Sequence, residues 1–162
     1  MAPGADVEIR FSLSPAPELK AERLTHDMFY PVAAPEWQGS ETDLESAILF
    51  ECSNLICNWE AWVEDAGLDL TLPPLSYAIT YTVPLMATMA GAGLTMSHDT
   101  LAGHLLKKGQ LIRPFDHMAP MQEAYYLISG PDVADVPGAQ AFADWLRAEM
   151  AADQSGRDAT QQ

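Results

Sequence analysis

Alternating apolar and polar residues mark the beginning of the chain. Val7, Ile9 and Phe11 alternate with Glu8 and Arg10, a period of two that is typical of a β-strand with one buried face. Closely spaced prolines follow and end this strand. Further short apolar runs between turn residues predict strands at 21–24, 28–33, 48–52, 76–80, 94–97, 111–115 and 125–129.

A helical period first occurs over residues 58–66. Its apolar residues recur at i, i+3, i+4 and i+7, so they share one face of a helix. Gly67 follows as a stop signal. The predicted buried stripe consists of Trp59, Trp62, Val63 and Ala66.

Two shorter helices are predicted from their first residues. Thr42 can cap a short helix over 43–47, where acidic residues in the first turn suit the helix dipole. Thr82 or Val83 can cap a second helix over 84–90, which begins at a proline, a residue favoured in the first turn. Both helices lie between predicted strands.

The clearest helix signals belong to residues 99–109 and to the C-terminal region. Asp99 is the predicted cap of the first of these helices, and Gly109 ends it. The last helix begins at Asp135 or Val136. Its predicted buried stripe is Phe142, Trp145, Leu146 and Met150.

The order of these elements predicts an α/β fold, because strands and helices alternate through the middle of the chain. From residue 153 the sequence is polar and aperiodic, and we predict a disordered tail over 153–162. No apolar run is long enough to span a bilayer, and the first residues do not resemble a secretion signal. We therefore expect a cytoplasmic protein that does not contact a membrane.

The charge of the chain argues against nucleic-acid binding. Eight basic and 23 acidic residues give a formal charge of −15, and the basic residues are scattered along the sequence. Binding to a polyanion needs clustered cations that displace counterions. We expect no direct contact between this chain and DNA.

Motifs for catalysis, metals and cofactors are not found. Cys52 and Cys57 supply only half of a tetrahedral zinc site and are interpreted as structural. The four histidines form no metal-binding pattern, no nucleophile elbow occurs, and no phosphate-binding glycine loop is present. We expect neither an enzyme nor a metal or cofactor site.

Several motifs in one order resemble the effector-binding domain of LysR-type transcriptional regulators, particularly the glycine-cleavage and β-lactamase activators. They cover about residues 7–150. In this sequence they read VEIRF at 7–11, LTHDMFYPVAAP at 24–35, WEAW at 59–62 followed by Gly67, MAGAGL at 89–94, GQLIRPF at 109–115, YYL at 125–127 and FADWL at 142–146. At positions 33 and 34 two alanines replace the family's usual cysteine and serine.

This resemblance implies a periplasmic-binding-protein-like fold of two subdomains. Subdomain I would consist of residues 7–26 and 124–152, and subdomain II of residues 27–123. The DNA-binding winged helix of the family has no counterpart in the sequence. The match also begins late in subdomain I, so we expect a complete second subdomain, a partial first subdomain and an N-terminally truncated chain.

In this fold, ligands bind between the subdomains, near the carboxyl ends of strands and the amino ends of helices. Thr80, Tyr81 and Thr82 precede the 84–90 helix, where hydroxyls and backbone amides suit a carboxylate. Alternatively, Thr82 is only a helix cap. Ser12 falls where the family's cleft residues cluster, although it is also explained as a loop serine. Phe11 is either a cleft wall or part of the core.

The resulting hypothesis is a small-molecule-sensing domain of a LysR-type regulator. An effector, an amino acid or small carboxylate, would shift the arrangement of subdomains or of a homodimer. The alternative is a stand-alone ligand-binding protein, or a dominant-negative partner that dimerises with an intact regulator without binding DNA.

Overall fold

The computed structural model describes residues 4–53 and 55–158, with side chains as far as residue 153. Two compact units are present: unit 1 contains the residues up to His26 and those from Glu123 onward, and unit 2 contains Asp27–Gln122. No helix of the described residues is long and apolar enough to cross a lipid bilayer. The strands are β1 (Val7–Ser12), β2 (Lys20–Arg23), β3 (Met28–Val32), β4 (Leu49–Cys52), β5 (Ser76–Ala78), β6 (Leu94–His98), β7 (Ala119–Pro120) and β8 (Ala124–Ser129); the α-helices are α1 (Trp59–Asp65), α2 (Thr82–Met89), α3 (Asp99–Lys107) and α4 (Pro137–Asp158).

Unit 1 is an antiparallel three-stranded sheet with α4 packed on it. The strand order is β1-β8-β2, and Ser129 lies opposite both Val7 and Lys20. Between the sheet and α4 lies a small apolar core. The core consists of Leu24, Leu127 and Ala143, with Val7, Tyr125, Leu146 and Met150 packed around it.

Two predictions for α4 differ from the structure. Phe142 and Trp145 were predicted to be buried, but they are 39% and 54% exposed. Ala143 occupies the centre of the contact instead, because its small side chain lets the helix approach the sheet closely. The disorder predicted from residue 153 is also corrected over 153–158, since α4 continues to Asp158. Extending a formed helix costs little, even through polar residues. Residues 159–162 of the predicted tail lie outside the described residues.

Unit 2 contains a mixed five-stranded sheet of order β5-β4-β6-β3-β7. Strands β5, β4 and β6 are parallel, whereas β3 is antiparallel to β6 and β7. One core cluster of this unit contains Tyr30, Val32, Ala102 and Leu111. Helices α2 and α3 contribute Leu85, Leu105 and Leu106 around it.

The tryptophan stripe of α1 is confirmed. Trp59 and Trp62 are both fully buried. Their indole N–H groups donate to the backbone carbonyls of Phe50 at 2.8 Å and His117 at 3.3 Å. A buried indole needs such an acceptor, because an unpaired N–H in the core is costly. The helix is therefore fixed both by apolar packing and by two hydrogen bonds.

Three local predictions for unit 2 are wrong. Residues 111–115 do not form a strand; only an isolated bridge joins Ile112 to Ala33, and Pro114 offers no N–H for a longer ladder. The short helix is a 3-10 turn over Glu41–Glu45 that begins after Ser40 rather than Thr42. The cap of α3 is His98, and Asp99 is its first helical residue.

Candidate functional site

The carboxyl ends of three parallel strands meet at one edge of the unit 2 sheet. Strands β4, β5 and β6 end there at Cys52, Ala78 and His98. Helices α2 and α3 begin close to the ends of β5 and β6. Open α/β sheets bind their ligands at such edges.

The turn before α2 carries three of the residues predicted from the sequence. Thr80 and Thr82 are exposed, and Tyr81 is half-buried. Tyr81 is the N-cap residue of α2, it makes no side-chain capping bond, and Thr82 is already the first helical residue. The interpretation of Thr82 or Val83 as the cap is therefore wrong. Thr82 is therefore an exposed residue in the first turn of the helix.

A buried aspartate–histidine pair lies behind this turn. The Tyr81 ring packs edge-on against the His98 ring, with 5.6 Å between centroids. The Nδ1 atom of His98 lies 2.6 Å from the Oδ2 atom of Asp27, and both side chains are 1% exposed. The backbone N–H of Thr100 also donates to this carboxylate oxygen, at 2.9 Å. Through Tyr81, the turn before α2 therefore packs on the buried Asp27–His98 pair, which we call the polar support.

The pKa of Asp27 reflects the strength of the hydrogen bonds in this support. Burial acts to raise the pKa, but hydrogen bonds from His98 and Thr100 outweigh it and lower the pKa to about 2. The carboxyl group is consequently ionised over the whole physiological range. A permanently charged acceptor holds the His98 ring in one orientation.

A second aspartate at the start of α3 binds the first residues of β3. Asp99 accepts hydrogen bonds from the backbone N–H of Met28 at 2.8 Å and from the Tyr30 hydroxyl at 3.0 Å. Burial and the charge of Asp99 raise the pKa of Tyr30, so the phenol stays protonated and continues to donate. The Arg113 guanidinium lies over the Tyr30 ring, 5.4 Å from its centroid. These contacts join the beginnings of β3 and α3.

Sequence reasoning missed Asp27, His98, Asp99 and Tyr30 as members of the site. His98 is only 1% exposed, and its Nδ1 atom is paired with Asp27. Asp27 and His98 are 71 positions apart, so no local spacing connects them. A usable signal was present nonetheless: an ionisable residue stands next to each of two predicted strands, Asp27 before one and His98 after the other.

Unit 1 contains the other two predicted residues, next to each other on β1. The Phe11 ring packs on Tyr125 with 4.9 Å between centroids, and it is half-buried. The Ser12 hydroxyl is buried and has no hydrogen-bond partner among the described residues. A buried hydroxyl without a partner is destabilising, which sets Ser12 apart from an ordinary loop serine.

Two open cavities of the structure are lined by other residues. One, of about 330 Å³ in unit 2, lies between Trp37, Ile48 and Gly93. Another, of about 430 Å³ in unit 1, lies beside Lys20 and Arg147. Neither contains a predicted site residue, and the described residues include no cluster of three or more potential metal ligands.

Solved structures of bacterial regulators share this fold. The effector domain of the transcriptional regulator AmpR of Pseudomonas aeruginosa matches with a TM-score of 0.79 and 23% identity, covering 95% of this chain and 76% of that domain. The regulatory domain of CrgA, a LysR-type regulator from Neisseria meningitidis, matches with a TM-score of 0.66 and 18% identity over 88% of this chain and 75% of that one. These likenesses confirm the predicted α/β, periplasmic-binding-protein-like fold of two subdomains.

Curated relatives point to the same kind of protein. The glycine cleavage system transcriptional activator of Escherichia coli K12 is 24% identical over 162 residues, covering 95% of this chain and 52% of the activator. The HTH-type transcriptional regulator DsdC of the same strain is 25% identical over 159 residues, covering 91% of this chain and 51% of the regulator. The chain thus spans about half the length of the curated relatives it matches.

The family match extends over nearly all of the described residues. A model of the LysR substrate binding domain matches residues 2–151, which include all of unit 2, most of unit 1 and every predicted site residue. The resemblance inferred from the sequence motifs is confirmed. The chain belongs to the LysR substrate-binding domain family.

Proposed function

We propose that this chain senses a small-molecule effector for a LysR-type transcription regulator. The family match and the two relatives named as transcriptional regulators support this role. The formal charge of −15 fits a part of a regulator that does not itself contact DNA. The role requires binding alone, so it needs no catalytic group.

The observation that carries the proposal is the supported turn at the start of α2. Two exposed threonine hydroxyls stand at a helix N-terminus, where backbone amides favour negative charge. The contact between Tyr81 and the buried His98 holds the turn in place, which reduces the entropy lost when a ligand binds. An amino acid or a small carboxylate fits these groups.

Phe11 and Ser12 complete the proposed set of contacts. The Ser12 hydroxyl gains a partner when it binds a polar group of the effector, and the Phe11 ring offers an apolar wall beside it. A cleft between the two subdomains, implied by the family resemblance, stays a prediction. The subdomain boundaries also stay predictions. They assign residues 7–26 and 124–152 to subdomain I and residues 27–123 to subdomain II.

The signal proposed here is a shift between conformations that already exist. An effector stabilises the conformation that it binds more tightly, and this difference in affinity is enough to shift the population. In the proposed regulator the chain acts as a homodimer, so that a change in one copy alters the pairing of two.

The test is a thermal-shift screen of amino acids and small carboxylates, followed by calorimetry on each compound that stabilises the chain. A ligand at a hundred times its Kd stabilises a protein by about 2.7 kcal/mol, which such a screen detects. Thr80→Val and Thr82→Val should each weaken binding at least about tenfold, because a hydrogen bond to a charged ligand group is lost.

Thr71→Val is the matched control, since Thr71 is an exposed threonine elsewhere in unit 2 and should bind the compound as the wild type does. The proposal fails if no compound raises the melting temperature, or if a compound binds all three variants as well as it binds the wild-type chain.

A further inference from the structure

The chain enters and leaves unit 2 through two segments that lie side by side. Asp27 is the first residue of unit 2, and Gln122 is its last. Strand β3 begins directly after Asp27 and pairs antiparallel with β7, with Met28 opposite Pro120. The backbone N–H of Met121 donates to the carbonyl of Asp27 at 2.9 Å. We call these two hydrogen-bonded segments the connecting segments of unit 2.

The residues around the start of α3 bind the connecting segments through further hydrogen bonds. The Asp27 carboxylate pairs with the His98 ring at 2.6 Å and accepts from the backbone N–H of Thr100 at 2.9 Å. Asp99 accepts from the backbone N–H of Met28 at 2.8 Å. Because Asp27 and His98 are both buried, water does not compete for the bond between them. Three consecutive residues thus hold the place where the chain enters unit 2.

His98 also contacts the turn that carries the proposed ligand groups. Its ring packs against Tyr81, which is half-buried between the exposed Thr80 and Thr82. A displacement of the Tyr81 ring changes the space available to the His98 ring, because side chains in a dense interior leave few voids. The Nδ1 atom of the same ring bonds to Asp27. One imidazole ring therefore contacts the turn and binds a connecting segment.

We propose that His98 is a positioning residue that couples the turn before α2 to the connecting segments of unit 2. A ligand that holds Tyr81 in one position stabilises one position of the His98 ring, and Asp27 follows through its hydrogen bond. Packed, buried groups change between discrete arrangements instead of deforming gradually, so a small displacement at the turn is transmitted. The coupling deepens the proposed function and rests on it for its role in signalling, since the turn is an input only when an effector binds there.

The test is a double-mutant cycle in the ligand-free chain, measured by native-state hydrogen exchange. The reporters are the amides of Thr100 and Met121, which both donate to Asp27. Tyr81→Leu removes the aromatic contact and should accelerate the exchange of both amides about fivefold. In a His98→Asn background, which keeps a side-chain N–H for Asp27 but has no ring, the same change should have less than about a twofold effect.

Two controls separate coupling from a general loss of stability. Tyr81→Phe keeps a ring against His98, so its exchange rates should match those of the wild type. The amide of Leu94, at the other end of β6, donates to the carbonyl of Ile48 at 2.9 Å and should exchange equally in all Tyr81 variants. Acceleration of this amide by the same factor as the reporters would overturn the coupling. Two-dimensional NMR of the isotope-labelled chain resolves the reporter and reference amides.

An effect of Tyr81→Leu that disappears in the His98→Asn background supports the proposal. An equal effect in both backgrounds would show that Tyr81 acts through other contacts and would overturn the role of His98. Should His98→Asn not fold, the two Tyr81 variants still decide, because equal exchange of the reporters in both would overturn the coupling. Since no ligand is used, failure of this cycle leaves effector sensing in force, whereas a failed ligand screen removes the sensing role and not the coupling.

Discussion

Units 1 and 2 differ in how completely they bury their large apolar side chains. In unit 2 the indoles of Trp59 and Trp62 are fully buried and hydrogen-bonded, and a buried aspartate–histidine pair lies where strand β6 ends. In unit 1 a single helix lies on a narrow sheet, and Trp145 stays half exposed. The difference indicates that contacts between residues far apart in the sequence stabilise unit 2. Unit 1, in contrast, has an apolar surface that its own described residues leave exposed.

The largest expected effect contrasts one tryptophan from each unit. Trp62→Ala should lower the free energy of unfolding by about 3–5 kcal/mol, because a buried aromatic ring is replaced by a cavity. Trp145→Ala should change it by less than about 1 kcal/mol, since the ring is already 54% exposed. Urea unfolding followed by circular dichroism measures both values. Equal losses would show that exposure does not distinguish the two units.

The next effect tests the buried polar support of unit 2. Asp27→Asn should lower the free energy of unfolding by about 2–3 kcal/mol, because charge-assisted hydrogen bonds from His98 and Thr100 are weakened. Asp65→Asn is the matched control. Its partner His117 lies 2.8 Å away, but the two side chains are 45% and 34% exposed, so the loss should stay below about 1 kcal/mol. A loss of similar size in both variants would contradict the special role of burial.

A pH series refines this comparison. The pKa of Asp27 falls from 3.8 to about 2 on folding, so its charge stabilises the folded state fully above about pH 4. This stabilisation, on the order of 2 kcal/mol, disappears as the pH falls from 4 towards 2. The difference in unfolding free energy between the wild type and Asp27→Asn should be constant at pH 5 to 7 and shrink below pH 4. A difference that persists undiminished at pH 2 would rule out the ionised carboxylate as its cause.

The smallest effect compares two serines whose hydroxyls are buried. The hydroxyls of Ser12 in unit 1 and Ser97 in unit 2 both lack a hydrogen-bond partner among the described residues. Ser12→Ala and Ser97→Ala should each leave the ligand-free chain as stable as before, or raise its melting temperature by a few degrees. With a compound from the ligand screen, Ser12→Ala alone should bind more weakly. Equal affinity in both variants would remove Ser12 from the proposed contacts.

Local signals predicted much of the fold. Three of the four residues predicted for the stripe of α1, Trp59, Trp62 and Val63, are buried, because apolar residues at helical spacing share one face; the fourth, Ala66, is the C-cap and is half-buried. The same reasoning misjudged Phe142 and Trp145, because periodicity identifies an apolar side of a helix but not which part of it meets the sheet. The strand predicted at 111–115 failed since pairing depends on a partner that the local sequence does not specify.

Only part of the candidate site was predicted, because local sequence does not specify which distant segments lie side by side. The turn at Thr80–Thr82 could be found from a strand, a proline and a helix that follow one another in the sequence. The Asp27–His98 pair could not, because its members are brought together by β3 and β6 lying side by side. The family resemblance supplied the overall fold, which short-range patterns alone do not determine.

The exposure of Trp145 also makes the two units separately observable. It is the one tryptophan of unit 1, while Trp37, Trp59 and Trp62 belong to unit 2. Acrylamide should quench the emission of Trp145 readily and that of the two buried indoles of α1 poorly. Once the half-buried Trp37 of unit 2 is replaced by phenylalanine, the fluorescence contains a quenchable component from unit 1 and a protected one from α1 of unit 2, so the order in which the units open can be followed without an added label.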